Sequence, residues 1–149
     1  MYNHAPVGYE CPFCRNARGG GADQPLEFLH RDDTLFVKMN PKWWPRNPGG
    51  VLVVPNEHYE NVYDLPADLG SPIQAAVRAV SFAMKSAFAC DGVSTRQHNE
   101  PAGNQDVWHY HVHVFPRWHG DDLYRTDGSP ADPHELRQRA DALRAAWPT

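Results

Sequence analysis

Cysteine is scarce in this chain of 149 residues. There are three, and two of them form the short sequence Cys11-Pro12-Phe13-Cys14. So few thiols argue against a disulfide framework. A Cys-x-x-Cys pair points instead to metal or redox chemistry, with reduced structural cysteines as the alternative. Cys90 reads as a buried filler at a helix end. Long apolar runs are missing too: nothing approaches the roughly 18 residues of a membrane helix, so no membrane partner is expected. A basic excess is also missing. The formal charge is −4, which speaks against a nucleic-acid polymer as partner. Met1 to Pro6 has neither the basic start nor the apolar run of a signal peptide, so a cytoplasmic location is expected. Internal repeats are absent, and the length suits one domain with its own core.

The 14 prolines and 11 glycines sit mainly between apolar segments and mark short elements with shaped loops. Leu26 to Arg31 predicts a strand, Asp32-Asp33 a turn, and Thr34 to Met39 the hairpin partner, with Leu35, Val37 and Met39 on one face. Asn40 to Gly50 is a loop with three prolines and the pair Trp43-Trp44. Val51 to Val54, ended by Pro55, predicts a central strand. Ser71-Pro72 joins a capping hydroxyl to a proline at the first helical position. Ile73, Ala76, Val77, Val80, Met84, Ala87 and Phe88 then recur with helical period and form a core-facing stripe. Asp91-Gly92 closes the helix, Val93 to His98 is a strand, and Asn99 to Asp106 is a polar loop. Val107 to Phe115 predicts a strand stopped by Pro116. Asp127-Gly128-Ser129-Pro130 is a turn, and Asp132 to Ala146 a last helix. The order β-β-β-α-β-β-α predicts an α+β fold with an antiparallel sheet of about five strands.

The chemistry concentrates in His109-Tyr110-His111-Val112-His113-Val114-Phe115. Residues two apart share a strand face, so the three imidazoles form a row, with Tyr110, Val112, Val114 and Phe115 anchoring the other side. Burying three imidazoles without a purpose is costly. One purpose is metal binding, since His-x-His can place two ligands on one ion. The other is nucleophilic attack on phosphorus by a neutral imidazole. The flanks favour the second: Gln105-Asp106-Val107-Trp108 leads into the row, and Arg117 and His119 follow it with donors that suit a phosphate.

This heptapeptide resembles the His-φ-His-φ-His-φ-φ signature of the histidine triad family of nucleotide hydrolases and transferases. Val53-Val54-Pro55-Asn56-Glu57-His58 is similar to that family's strand before its long helix. Asn99-Glu100-Pro101-Ala102-Gly103-Asn104-Gln105 is similar to the loop leading into its triad. The likeness runs from about Cys11 to Arg117, leaving residues 118–149 as a C-terminal extension of a single domain spanning 1–149.

The resemblance implies an enzyme that acts at the α-phosphate of nucleoside phosphoramidates or dinucleoside polyphosphates. His111 would be the nucleophile and form a nucleotidyl-histidine that water resolves. For this, His111 must be neutral at one nitrogen while a backbone carbonyl holds the other as N–H. The resemblance implies that His113 holds a phosphate oxygen, His109 fixes the geometry or binds metal, and Gln105 contacts the phosphate and leaving group. Asn40 would bond the ribose. His98 stands where the family usually has a small amide; it or the following Asn99 would serve the site, and Arg117 would reach outer phosphates. Family members with this Cys-x-x-Cys bind structural zinc, which maps to Cys11, Cys14, His58 and His109. A homodimer with joined sheets is also implied. Trp43 and Trp44, in the loop after Asn40, would stack on a base, cover a dimer groove or serve only in surface or core packing. Two other readings stay open: a non-catalytic nucleotide-binding module, and a metal-dependent hydrolase ligated by the histidine row.

Overall fold

The computed structural model describes residues 2–19 and 27–149. A short helix, α1 (Pro12–Ala17), opens the described chain. The predicted first strand is β1 (Phe28–Arg31), and its expected start at Leu26 lies outside the described residues. Asp32 Oδ1 accepts from the backbone N–H of Thr34 and Leu35 at 2.8 and 2.9 Å. This side-chain-closed turn folds β2 (Leu35–Met39) back onto β1. After β3 (Lys42–Trp43), a two-residue strand inside the expected loop, comes β4 (Val51–Pro55). The long helix α2 (Gly70–Phe88), β5 (Gly92–Gln97) and β6 (Val112–Arg117) follow. Then come β7 (Ser129–Pro130), paired with β3, and α3 (Pro133–Ala145).

The five long strands form one antiparallel sheet in the order β1-β2-β4-β6-β5, with β4 at the centre as its apolar run predicts. The molecule is a single α+β domain. Alternation along the strands separates two layers. Leu35, Val37, Met39, Val51, Val53, Val112 and Val114 face the core with Ile73, Val77, Val80 and Met84 of α2. Leu136, Ala140 and Leu143 of α3 join that core. Full burial of such a side chain stabilises by about 1.5–3 kcal/mol. Phe36, Leu52 and Val54 face the opposite way and pack with Cys11 and Phe13 of the α1 region. Asp132 caps α3 by accepting from His134 N–H and Glu135 N–H. Arg137 and Arg144 of α3 reach Glu27 at 3.3 and 2.7 Å, which ties the C-terminal helix to β1. Cys90 is buried just past α2 in the main core.

Three boundaries and the face of one residue differ from the sequence reading. Ser71 is not the helix cap: a 3-10 turn at Ala67–Leu69 runs directly into α2, so Gly70 already lies inside it and no side chain caps it. Strand β6 begins at Val112, not Val107. The stretch His109-Tyr110-His111 is held by loop groups instead of a neighbouring strand; Tyr110 N–H donates to Tyr59 O at 2.6 Å. Pro116 does not stop the strand. Its carbonyl accepts from Asn47 Nδ2, on the side where pairing with β4 has already ended at Val114–Val51, so no ladder bond needs the missing N–H. Phe115 lies on the histidine face, two residues from His113, with the two rings stacked at 5.7 Å.

Candidate active site and metal centre

The three triad histidines divide between two neighbouring sites. His109 is fully buried and turned towards α1 and the loop after β4. Its Nε2 donates to Pro55 O at 2.9 Å, which fixes the tautomer and leaves Nδ1 with a free lone pair. That Nδ1 lies 3.3 Å from Cys11 Sγ and 3.6 Å from Cys14 Sγ, and His58 Nδ1 lies 3.2 Å from Cys14 Sγ. The four donor atoms all lie within 4.8 Å of one another. Two ligands of a tetrahedral zinc, one sulfur and one nitrogen, are separated by about 3.5 Å. The spacing and donor set therefore fit such an ion, and the Pro55 carbonyl is the outer partner that a ligating imidazole needs. Burial and the adjacent Cys11 push the Cys14 thiol up to about 11, so a cation binding here displaces its proton. Burial drives His109 down to about 4, which keeps it a neutral donor. Locally, Cys11 caps α1 by accepting from Cys14 N–H, and Pro12 takes the first helical position.

His111 and His113 line a cavity of about 830 Å³. His111 Nδ1 donates to His109 O at 2.7 Å, so Nε2 is its free nitrogen. Asp106 Oδ1 is 3.6 Å from that Nε2, and the imidazole holds the Asp106 carboxyl down to about 2. Burial, then the neighbouring His111, pushes His113 down to about 3, and its buried Nδ1 has no hydrogen-bond partner among the described residues. The ring of Phe13 meets both His109 and His111 edge-on at 5.7 and 5.1 Å, so helix α1 braces the row.

The remaining predicted residues separate clearly. Asn40 and His98 line the cavity. Asn40 Oδ1 accepts from Lys42 N–H at 3.1 Å, and His98 Nδ1 donates to Gly103 O at 2.7 Å. Asn99 does not line it; its side chain accepts from Val62 N–H and exchanges bonds with Gln97. Gln105 does not line it either. Its amide donates to Glu60 O and Val107 O and accepts from Glu100 N–H, bracing the loop from within. Arg117 grips Asp121 through two bonds of 2.7 and 2.8 Å, away from the cavity. The arginine that does line it is Arg96, whose guanidinium lies 4.0 Å from the Tyr124 ring centre and 5.2 Å from that of Phe115. Trp43 is buried in the core, while Trp44 lines the cavity edge-on to Phe115.

Sequence reasoning passed over Lys38, Asn16, Asp106 and Arg96. Lys38 is buried, lines the cavity and donates to Asn16 Oδ1 at 3.2 Å. Its signal was visible as a lysine within an otherwise apolar strand.

The HIT domain family model matches residues 24–120. The chain belongs to the HIT domain family. A HIT-like protein of Saccharolobus solfataricus is 37% identical over 111 residues, covering 74% of this chain and 76% of its own. An AP-4-A phosphorylase of Mycobacterium tuberculosis is 32% identical over 132 residues, covering 85% of this chain and 65% of its own. The crystal structure of a zinc-bound histidine triad protein from Mycobacterium smegmatis superposes with a TM-score of 0.73 at 26% identity, covering 91% of this chain and 94% of that one. This HIT domain thus has the fold of a zinc-bound histidine triad protein and about a third of its aligned residues in common with an AP-4-A phosphorylase. No helix among its described residues is long and apolar enough to cross a membrane.

Proposed function

We propose that this protein is a nucleotide hydrolase or transferase that works through a nucleotidyl-histidine on His111. The observation that carries the reading is the orientation of His111: Nδ1–H is tied to the His109 carbonyl, and Nε2 is free at the wall of the cavity. In the first step the Nε2 lone pair attacks the α-phosphorus. The P–N or P–O bond to the leaving group breaks, and that group departs with the electron pair and takes up a proton. Water then attacks the same phosphorus, loses a proton, and the P–Nε2 bond returns its electrons to His111. Neutral His113 serves the phosphate oxygens, His98 stands beside it in the same cavity, and Asn40 serves the ribose. Gln105 and Asn99 act by holding the loop before the triad, and Arg117 by fixing Asp121. The substrates are nucleoside phosphoramidates or dinucleoside polyphosphates; the relative named as an AP-4-A phosphorylase supports the second class.

Cys11, Cys14, His58 and His109 would hold zinc, which supplies no step and locks α1 and His109 beside the nucleophile. The free outer edge of β5 among the described residues supports a homodimer with joined sheets, to be checked by light scattering.

The test is to mix the protein with an adenosine phosphoramidate, quench in denaturant at neutral to basic pH, and weigh it beside His111→Ala. A nucleotidyl adduct on the wild type alone is expected. Absence of both adduct and turnover on either substrate class overturns the reading and leaves a binding module. A second reading has its own observation: one donor atom each of Asp106, His111 and His113 also lie within 4.8 Å of one another. A metal-dependent hydrolase built there would gain activity as zinc is titrated beyond the first equivalent. Inhibition or no change excludes it.

A further inference from the structure

Lys38 is the fourth residue of the five-residue β2, where Leu35, Phe36, Val37 and Met39 are all buried and apolar. The sheet register sets it in a cross-strand row: Lys38 pairs with Leu52, Leu52 with His113, and His113 with Arg96. All four line the same cavity. Adjacent strands lie about 4.8 Å apart, so the Lys38 backbone stands roughly 10 Å from that of His113, with Leu52 as the floor between them.

An ammonium carries three donors. Among the described residues that of Lys38 has one partner, the neutral Oδ1 of Asn16, and no carboxylate within 4.0 Å. Among the described residues that line the cavity, Asp106 is the only acidic one, and it sits against His111. Lys42 and Arg96 add two more cations to the lining, although the chain as a whole carries a charge of −4. Burying an unpaired ammonium is unfavourable, and burial pushes Lys38 down to about 8. A methionine would fill the same space without that cost. The ammonium becomes an asset when an anion enters beside it.

We propose that Lys38 and Asn16 form a second anion subsite, which takes a phosphate esterified to the 2′- or 3′-hydroxyl of the ribose while the 5′ α-phosphate lies against His111 and His113. This rests on the nucleotide reading above. It makes the preferred substrate a nucleotide phosphorylated at both ends of its ribose.

Calorimetric titration with adenosine 5′-monophosphate, adenosine 2′,5′-bisphosphate and adenosine 3′,5′-bisphosphate tests it on the wild-type protein. One bisphosphate is expected to bind on the order of tenfold or more tighter than the monophosphate, because a charge-assisted contact replaces an unpaired charge. In Lys38→Met, checked for folding by its thermal transition, the ratio of bisphosphate to monophosphate affinity is expected to fall to near one. Equal affinity of all three ligands on the wild type overturns the subsite, as does an unchanged ratio in the variant. If none of the three binds, the nucleotide reading fails first, and the subsite with it.

Discussion

His109 and His111 stand two residues apart on one face, both buried, and present opposite nitrogens. In His109, Nε2–H donates to the Pro55 carbonyl, so the Nδ1 lone pair faces two sulfurs. In His111, Nδ1–H donates to the His109 carbonyl, so Nε2 faces the cavity. A backbone oxygen on one side or the other of the ring decides whether an imidazole becomes a ligand or a nucleophile. The identity of the side chain is the same in both; the choice is made by its neighbours.

Substituting the two in parallel tests that division most severely. His111→Ala is expected to lower turnover by on the order of 10⁴-fold or more, since it removes the imidazole on which the proposed covalent step depends. Its melting temperature and metal content are expected to stay near wild type. His109→Ala is expected to show the reverse emphasis, with lost metal and a lower melting temperature. If both variants lose activity with metal and stability intact, the two histidines serve one site and the comparison fails.

The metal side can also be broken from α1. Cys14→Ser, or chelation of the wild type, is expected to lower the melting temperature by on the order of 10 °C, read by scanning calorimetry. Structural metal sites contribute directly to folding, and here an ion held by Cys11, Cys14, His58 and His109 would anchor the helix that carries Phe13 and Asn16 into the cavity. A shift of less than a degree would mean that α1 holds its place by packing alone.

Local periodicity made the frame legible. The stripe from Ile73 to Phe88 and the run Val51 to Val54 read directly as the covering helix and the central strand. The triad was legible because its spacing is unusual, and the Cys-x-x-Cys because thiols are otherwise rare. What escaped depended on partners distant in sequence. The strand was drawn too early because Tyr110 is held by Tyr59, 51 residues before it, and not by a ladder. Arg117 follows the triad in sequence, but Asp121 holds its Nε and Nη2 and Ser94 its Nη1, while Arg96 lines the cavity. Lys38 was visible, but its meaning depends on the register that aligns it with His113.

Gln105 marks the line between contacting and positioning. Its buried amide makes three backbone bonds, to Glu60, Val107 and Glu100. Gln105→Ala is expected to cost about 2 kcal/mol in chemical denaturation, because buried backbone groups lose their partners. The His111 adduct should still form. Full stability with lost substrate affinity would instead make Gln105 a direct ligand contact.

The smallest effect belongs to Asp106, the carboxylate beside His111. Its carboxyl lies 3.6 Å from His111 Nε2, where an anionic phosphate must arrive, and it is held down to about 2, so it is charged throughout the working pH range. Asp106 is exposed, and its repulsion of the incoming phosphate is softened by water. Asp106→Asn is therefore expected to tighten adenosine 5′-monophosphate binding by only about three- to tenfold at low ionic strength, with the gain shrinking as salt is added. Weaker binding in the variant would reverse the assignment: the carboxylate would then be holding His111 as the imidazolium that grips the phosphate, and the free Nε2 would be a donor before it is a nucleophile.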